Sequence, residues 1–336
     1  IRFGRDLDKA QGLTAGNLKA SEAEFDRAFD QVEPKVIEAI RSGIDSRRSF
    51  HREQLPEPMW LKEVRPGAFA GDRFTPISSV ALYVPRGKGA FPSVTMMTAV
   101  PGVVAGVPDL AILTPPGPDG GVDAATLVAA RLAGVETVYK CGGAQAVAAA
   151  AYGTETVRKA RKIVGPGSPW VVAAKRLLSD VIDPGLPAGP SEVVILADDT
   201  VHGGLAALDL LIEAEHGPDS SAWLVTPSRR VVEQALAALP GHWAQMSEQR
   251  ASFSRQVLTG RAGGIILAAS MADACAFVNE YAPEHLEILS THPFDYLGDI
   301  TEAAEILLGT RTPNAIANYV LGPNAVLPTS MGAMTH

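Results

Sequence analysis

Two clusters of side chains that exchange protons or bind metals organise this sequence. In Tyr281-Ala282-Pro283-Glu284-His285-Leu286 a carboxylate stands beside an imidazole, directly after a proline that keeps a regular helix from running through them. Histidine exchanges protons near neutral pH, and glutamate does so when its pKa is raised. Adjacent residues diverge on a helix but can face one way on an irregular turn, so the stretch is read as such a turn. A surface turn with a helix-starting carboxylate is the other reading. The second cluster is Glu213-Ala214-Glu215-His216-Gly217-Pro218. Glu213 and His216, at i and i+3, share one helix face, and both residue types ligate zinc. His216 could equally answer the dipole at the helix C-terminus, and spacing alone leaves both roles open.

The elements around these clusters alternate. Strands are predicted at 80–85, 110–113, 137–140, 163–164, 192–196, 222–226 and 264–267. Helices are predicted at 21–42 (interrupted at Pro34), 46–52, 93–104, 124–133, 144–151, 171–178, 201–216, 229–238, 243–255 and 271–280. Residues 56–75 are rich in Pro, Gly and charge and read as a hairpin or loop. Strand and helix by turns imply an α/β fold, with parallel sheets flanked by helices on both faces. Ligands of such sheets are expected beyond the carboxyl ends of the strands. Gly/Pro-rich turns stand there, at Pro85-Arg86-Gly87, Cys141-Gly142-Gly143, Gly165-Pro166-Gly167-Ser168 and Ala188-Gly189-Pro190-Ser191. Each could admit a phosphate to backbone N–H groups, or simply be turn chemistry. No GxGxxG and no GxxxxGK[ST] is present, so a nucleotide must be held in another way.

The 336 residues suffice for two domains, and 46% hydrophobic with 20% charged residues is an ordinary globular balance. A net charge of -8 argues against nucleic acid as a partner. Two cysteines, Cys141 and Cys275, fit a reducing cytoplasm and form no CxxC motif. The most apolar run, 94–113, is broken by Pro101 and Pro108, which speaks against a membrane span. The chain lacks a starting Met and ends at Met334-Thr335-His336, so both ends are expected to be missing.

From about residue 47 to the end the chain resembles the histidinol dehydrogenase family. The matching blocks are Leu82-Tyr83-Val84-Pro85, Gly142-Gly143-Ala144-Gln145-Ala146, Ala151-Tyr152-Gly153-Thr154-Glu155, Lys162-Ile163-Val164-Gly165-Pro166-Gly167, Ala188-Gly189-Pro190-Ser191-Glu192-Val193, Ala214-Glu215-His216-Gly217-Pro218-Asp219-Ser220, Tyr281-Ala282-Pro283-Glu284-His285 and Gly322-Pro323-Asn324 with Val326-Leu327-Pro328-Thr329. The resemblance implies a homodimeric, zinc-dependent enzyme that uses two NAD in succession. It would oxidise an amino alcohol through an aldehyde to a carboxylate, as from L-histidinol to L-histidine in histidine biosynthesis. It implies two Rossmann-like domains without the usual glycine fingerprint: residues 1–83 with 192–336, and an insertion at 84–191. A C-terminal dimer-swapped segment would lie beyond this sequence. By position, Glu284 and His285 would be the acid–base pair. Tyr83, Gln145 and Ser168 would lie along NAD. Ser191, Glu213, His216, His285 and Asn318 would touch substrate, and Glu213, His216 and Asn318 would hold zinc.

Several residues depart from the family pattern. Glu213 stands where Gln is usual, and Asn318 where Asp is usual. The pair exchanges an amide and a carboxylate, so the formal charge around zinc would be kept. Ala325 replaces a His, Ser168 an Asn, Arg86 a Gly and Cys141 an aliphatic residue. These changes keep two alternatives in view: a paralogue oxidising another polar alcohol such as a sulfonated diol, and a non-catalytic relative that binds ligand without turnover. Retention of Glu284, His285, His216 and Ser191 together argues against the last.

Overall fold

The computed structural model describes residues 1–86 and 89–335; the side chain of Asn318 also lies outside the described set, as do Gly87, Lys88 and His336. The chain packs as two units, Ile1–Gly185 with Tyr319–Val326, and Leu186–Asn318 with Leu327–His336.

The first unit begins with α1 (Arg2–Leu7), α2 (Glu22–Gln31) and α3 (Pro34–Glu53). Ser21 N–H donates to the Glu24 carboxylate at 2.9 Å, as a capping box requires, and Pro34 opens α3 rather than kinking it. The expected hairpin is β1 (Met59–Arg65) against β2 (Ala68–Arg73), antiparallel and exposed. Next come β3 (Val80–Tyr83), α4 (Pro92–Val104), β4 (Leu110–Thr114), α5 (Ala124–Ala133), β5 (Val138–Lys140), α6 (Gly143–Tyr152), β6 (Lys162–Val164) and α7 (Pro169–Leu177). The sheet order is β5-β4-β3-β6, all parallel. Phe25, Ile40, Ile44, Met96 and Val128 cover one face, and Val147, Ala150 and Val171 belong to the core on the other.

This arrangement corrects the expected domain boundaries. Residues 1–83 share one unit with 84–185 and 319–326, because β3 is an inner strand hydrogen-bonded to both β4 and β6.

The second unit contains β7 (Glu192–Ala197), α8 (Gly203–Ala214), β8 (Ser221–Thr226), α9 (Arg229–Trp243), α10 (Glu248–Leu258), β9 (Gly263–Leu267), α11 (Met271–Tyr281), β10 (His285–Leu289), α12 (Phe294–Leu297), β11 (Glu305–Leu308) and α13 (Asn314–Ile316). Its parallel sheet runs β11-β10-β7-β8-β9. Val193, Ile195, Ala207 and Leu210 form the core on one face; Val194, Leu196, Val278 and Ile288 form it on the other. β10 and β11 are strands that the sequence reading missed, and His285 opens one of them instead of lying on an irregular turn. The stretch Ala317–Leu321 forms a π-helical turn.

Candidate active site

Parallel strands joined by helices make each helix run back toward the amino ends of the strands. In the second unit the C-terminus of α8 therefore arrives beside the first residues of β7, β10 and β11, which are Glu192, His285 and Glu305. The acid–base and metal candidates collect at this amino edge, opposite to the expected carboxyl edge. The α11 helix ends at Ala282 in the left-handed region (φ 50), and Pro283 then turns the chain into β10.

Glu284 and His285 are both buried. The Glu284 carboxylate accepts the Glu192 backbone N–H at 3.1 Å, and its other oxygen lies 3.8 Å from His285 Nε2. Burial pushes the Glu284 carboxyl up to about 8; the His285 charge opposes that rise, and Glu213 and Glu192 add to it. His285 Nδ1 donates to Glu305 Oε2 at 2.6 Å. His285 and Glu305 are Cα partners in the β10–β11 ladder, so their side chains leave the same face of the sheet. Burial alone would lower the His285 pKa. Glu284 first, then Glu305 and Glu213, overcome it and hold the imidazole at about 10.

Beside this pair, Glu213 is almost fully buried at the end of α8. One of its oxygens accepts from Asn314 Nδ2 at 3.0 Å, and the other lies 3.2 Å from His216 Nδ1. His216 is half-exposed, and its Nδ1 sits 2.9 Å from the Ile212 carbonyl. A carbonyl can only accept, so Nδ1 carries the proton, and Nε2 is the nitrogen that would ligate a bound metal. Glu213 and His216 are residue types that ligate zinc, and the 3.2 Å contact between them is made through the protonated Nδ1, not through Nε2. These two donors fit the metal. Among the described residues no group of three or more His, Cys, Asp or Glu is placed to complete a site. The third expected ligand, the Asn318 side chain, lies outside the described residues. Ser191 immediately precedes Glu192, the residue whose N–H holds Glu284.

The expected NAD-lining residues lie in the first unit, at the carboxyl ends of its strands. Tyr83 ends β3; its buried phenol, pushed up to about 12 by burial, accepts the Gly143 N–H at 2.9 Å. Gly143 (φ +69) and the side chain of Gln145 fold together, since a Cβ at 143 would meet Gln145 Oε1 at 2.8 Å. Gly165 (φ +115) passes so close to Tyr83 that a Cβ would stand 2.1 Å from its carbonyl oxygen. Ser168 is the N-cap of α7, without a side-chain capping bond. Tyr83, Gln145 and the 165–168 turn therefore share one rim.

Sequence reasoning missed Glu305, Asn314, Glu192 and a buried carboxyl pair, Asp209 and Glu287. Asp209 lies one turn before Glu213 on α8, and Glu287 lies two residues after His285 on β10. Reading Glu305-Ile306-Leu307-Leu308 as a strand would have exposed Glu305. Nothing in the spacing signals the others.

A parallel α/β scaffold holds a buried histidine between carboxylates, beside a Glu-x-x-His pair, which is an arrangement built to move protons. The chain belongs to the histidinol dehydrogenase family, a family of NAD-dependent enzymes, whose model matches residues 1–336. The histidinol dehydrogenase homolog of Cereibacter sphaeroides is 76% identical over 335 residues, covering 100% of this chain and 76% of that protein. The histidinol dehydrogenase of Synechocystis sp. is 50% identical over 329 residues, covering 98% of this chain and 75% of that protein. The solved histidinol dehydrogenase of Elizabethkingia anophelis matches with a TM-score of 0.95 at 33% identity, over 100% of this chain and 76% of that one.

Proposed function

We propose that this protein oxidises the carbinol carbon of a polar alcohol in two steps, through an aldehyde to a carboxylate, with NAD accepting a hydride in each. The buried Glu284–His285–Glu305 array carries this reading. In the first step the alcohol proton passes to His285 Nε2 as hydride leaves the carbon. Glu305 on Nδ1 fixes the ring and steadies the imidazolium that results. In the second step Glu284 takes a proton from the water that hydrates the aldehyde, and a second hydride leaves the hydrate. A carboxyl pushed up to about 8 can hold and release that proton near neutral pH. Glu213 and His216 would hold zinc together with Asn318. The chemistry it supplies when bound is polarisation of the alcohol oxygen and positive charge that draws the His285 pKa down. Tyr83, Gln145 and Ser168 would line NAD, and Ser191 would touch substrate. The proposal includes a homodimer in a reducing cytoplasm, and the free thiols of Cys141 and Cys275 agree with that compartment.

L-Histidinol is the reference substrate. A second reading, a paralogue acting on a different polar alcohol such as a sulfonated diol, is favoured by the altered residues Glu213, Asn318, Ala325, Ser168 and Arg86. The names of relatives point the same way. Those at 76%, 75%, 73% and 59% identity are called homologs, whereas the one at 50% is called histidinol dehydrogenase. The test is NADH formation by the zinc-loaded full-length protein with L-histidinol, other amino alcohols and small anionic diols. Turnover of histidinol alone removes the paralogue reading. Absence of turnover with any alcohol removes the dehydrogenase reading and leaves a binding protein.

A further inference from the structure

Arg47 lies in the core of the first unit with no side-chain exposure. Gly43, Arg47 and His51 recur every fourth residue of α3 and are all buried, so they form one line on the helix. The Arg47 Nη1 donates to the Gly43 carbonyl at 3.3 Å. Among the described residues, its Nε and Nη2 have no hydrogen-bond partner. Those two nitrogens form the side-on edge of the guanidinium, where two parallel N–H groups match the two oxygens of a carboxylate, sulfonate or phosphate. Burial lowers the Arg47 pKa to about 10, and the group that opposes the shift is the Tyr319 phenol rather than a carboxylate.

The surroundings hold further unpaired polar atoms. A Cβ at Gly43 would meet Tyr319 O at 3.3 Å, Met96 Sδ at 3.4 Å and Arg47 Nη1 at 3.5 Å, which brings α3, α4 and the segment 319–326 to one point. Thr95, next to Met96, is fully buried with an unpartnered Oγ1 among the described residues. His51 Nδ1 is 2.6 Å from Gln54 Oε1, while Nε2 has no partner there. Gly322 (φ +101) lies on α3, where a Cβ would stand 2.6 Å from the Ser46 carbonyl, so this segment closes over the line. A buried, forked cation with its recognition edge unpaired is destabilising unless something answers it.

We propose that the Nε–Nη2 edge of Arg47 is an oxyanion-binding site, with Thr95 as a further donor and the 319–326 segment as its cover. The ligand is a sulfonate, phosphate or carboxylate group. The site stands without the dehydrogenase reading; assigning the anion to the alcohol substrate rests on that reading.

The test is the melting temperature of the full-length protein in sodium sulfate against sodium chloride at matched ionic strength, without NAD, zinc or alcohol. Sulfate stabilises proteins generally, so the readout is the excess rise of wild type over Arg47→Met. The expected result is an excess of several degrees that vanishes in Arg47→Met. Arg47→Lys, which keeps the charge but loses the fork, loses most of it and serves if the Met variant does not fold. Equal sulfate responses in wild type and both variants overturn the proposal. Two kinetic arms identify the source. Competition of sulfate with an anionic alcohol, and a KM for it raised about 100-fold in Arg47→Lys with neutral alcohols unaffected, place the anion on the substrate. Non-competitive sulfate with no such KM change makes it a free anion bound at the same site. Loss of the sulfate excess in a protein that oxidises no alcohol keeps the site and removes the dehydrogenase. NADH formation with unchanged sulfate responses does the reverse.

Discussion

Replacing Glu305 by Gln tests whether His285 is held for proton transfer. The His285 Nδ1–Glu305 bond is 2.6 Å long and buried at both ends. A hydrogen bond to a charged group is worth about 1.5–3 kcal/mol, and burial places this one toward the upper end. Its loss at the transition state lowers kcat/KM by about 10- to 150-fold. The pH dependence supplies an independent readout. Burial pulls the His285 pKa down, and Glu284, Glu305 and Glu213 raise it to about 10 in the metal-free chain. Removing the Glu305 charge lowers it, so the imidazole loses its proton at a lower pH and the acid limb of the kcat/KM profile moves to lower pH. The amide of the Glu305→Gln variant still offers a carbonyl to Nδ1, so Glu305→Ala, which leaves Nδ1 unpaired in the core, shows the larger loss. The assay is NADH formation across pH with zinc present, alongside melting curves to establish folding. A folded Glu305→Gln protein with unchanged kcat/KM and an unmoved acid limb refutes the positioning role.

Other perturbations have defined outcomes. Glu287 is held at about 10, by burial first and then by the Asp209 charge. A raised carboxyl contributes stability that is fully present below its unfolded value near 4.5 and is lost as pH rises toward 10, so Glu287→Gln stabilises the protein at pH 8. The gain is about 2–5 kcal/mol, read from urea unfolding at several pH values; an unchanged stability–pH slope refutes the buried ionisation. Gly165→Ala forces a Cβ to 2.1 Å from the Tyr83 carbonyl at φ +115, and should cost about 3 kcal/mol or more with weakened NAD binding, measured by melting and NADH titration. Glu213→Ala should lower zinc affinity by about 10-fold or more, measured by metal analysis after dialysis against a chelator; full zinc retention would show that this carboxylate is not a ligand.

Regular alternation made the fold legible: most predicted strands, as at 80–84, 110–113, 193–196 and 222–225, are apolar runs of the kind that buried parallel strands show. β10 escaped because Glu287 interrupts Leu286–Leu289, and strands rarely carry buried carboxyls; β11 is headed by an acid just as the predicted 192–196 is, and was not read as a strand. That miss hid Glu305, whose partnership with His285 depends on strand register across 20 residues. It also favoured the wrong edge of the sheet, because only the strand start at His285 shows that the C-terminus of α8 meets it. The misplaced domain boundary has a related origin. Whether β3 pairs with β4 and β6 or with β7 is a question of sheet order, which strand composition does not encode. The clusters themselves, Glu213 with His216 and Glu284 with His285, were legible because each is local in sequence.

The most direct measurement is the stoichiometry of NADH formed per alcohol by the zinc-loaded full-length protein and by its Glu284→Gln and His285→Asn variants. Two NADH per alcohol are predicted for the wild type. Glu284→Gln is predicted to stop near one, with aldehyde accumulating, and His285→Asn to fall in the first step by about 100-fold or more. Wild-type stoichiometry and rates in both variants would contradict the assignment of Glu284 and His285 as the proton-transfer pair.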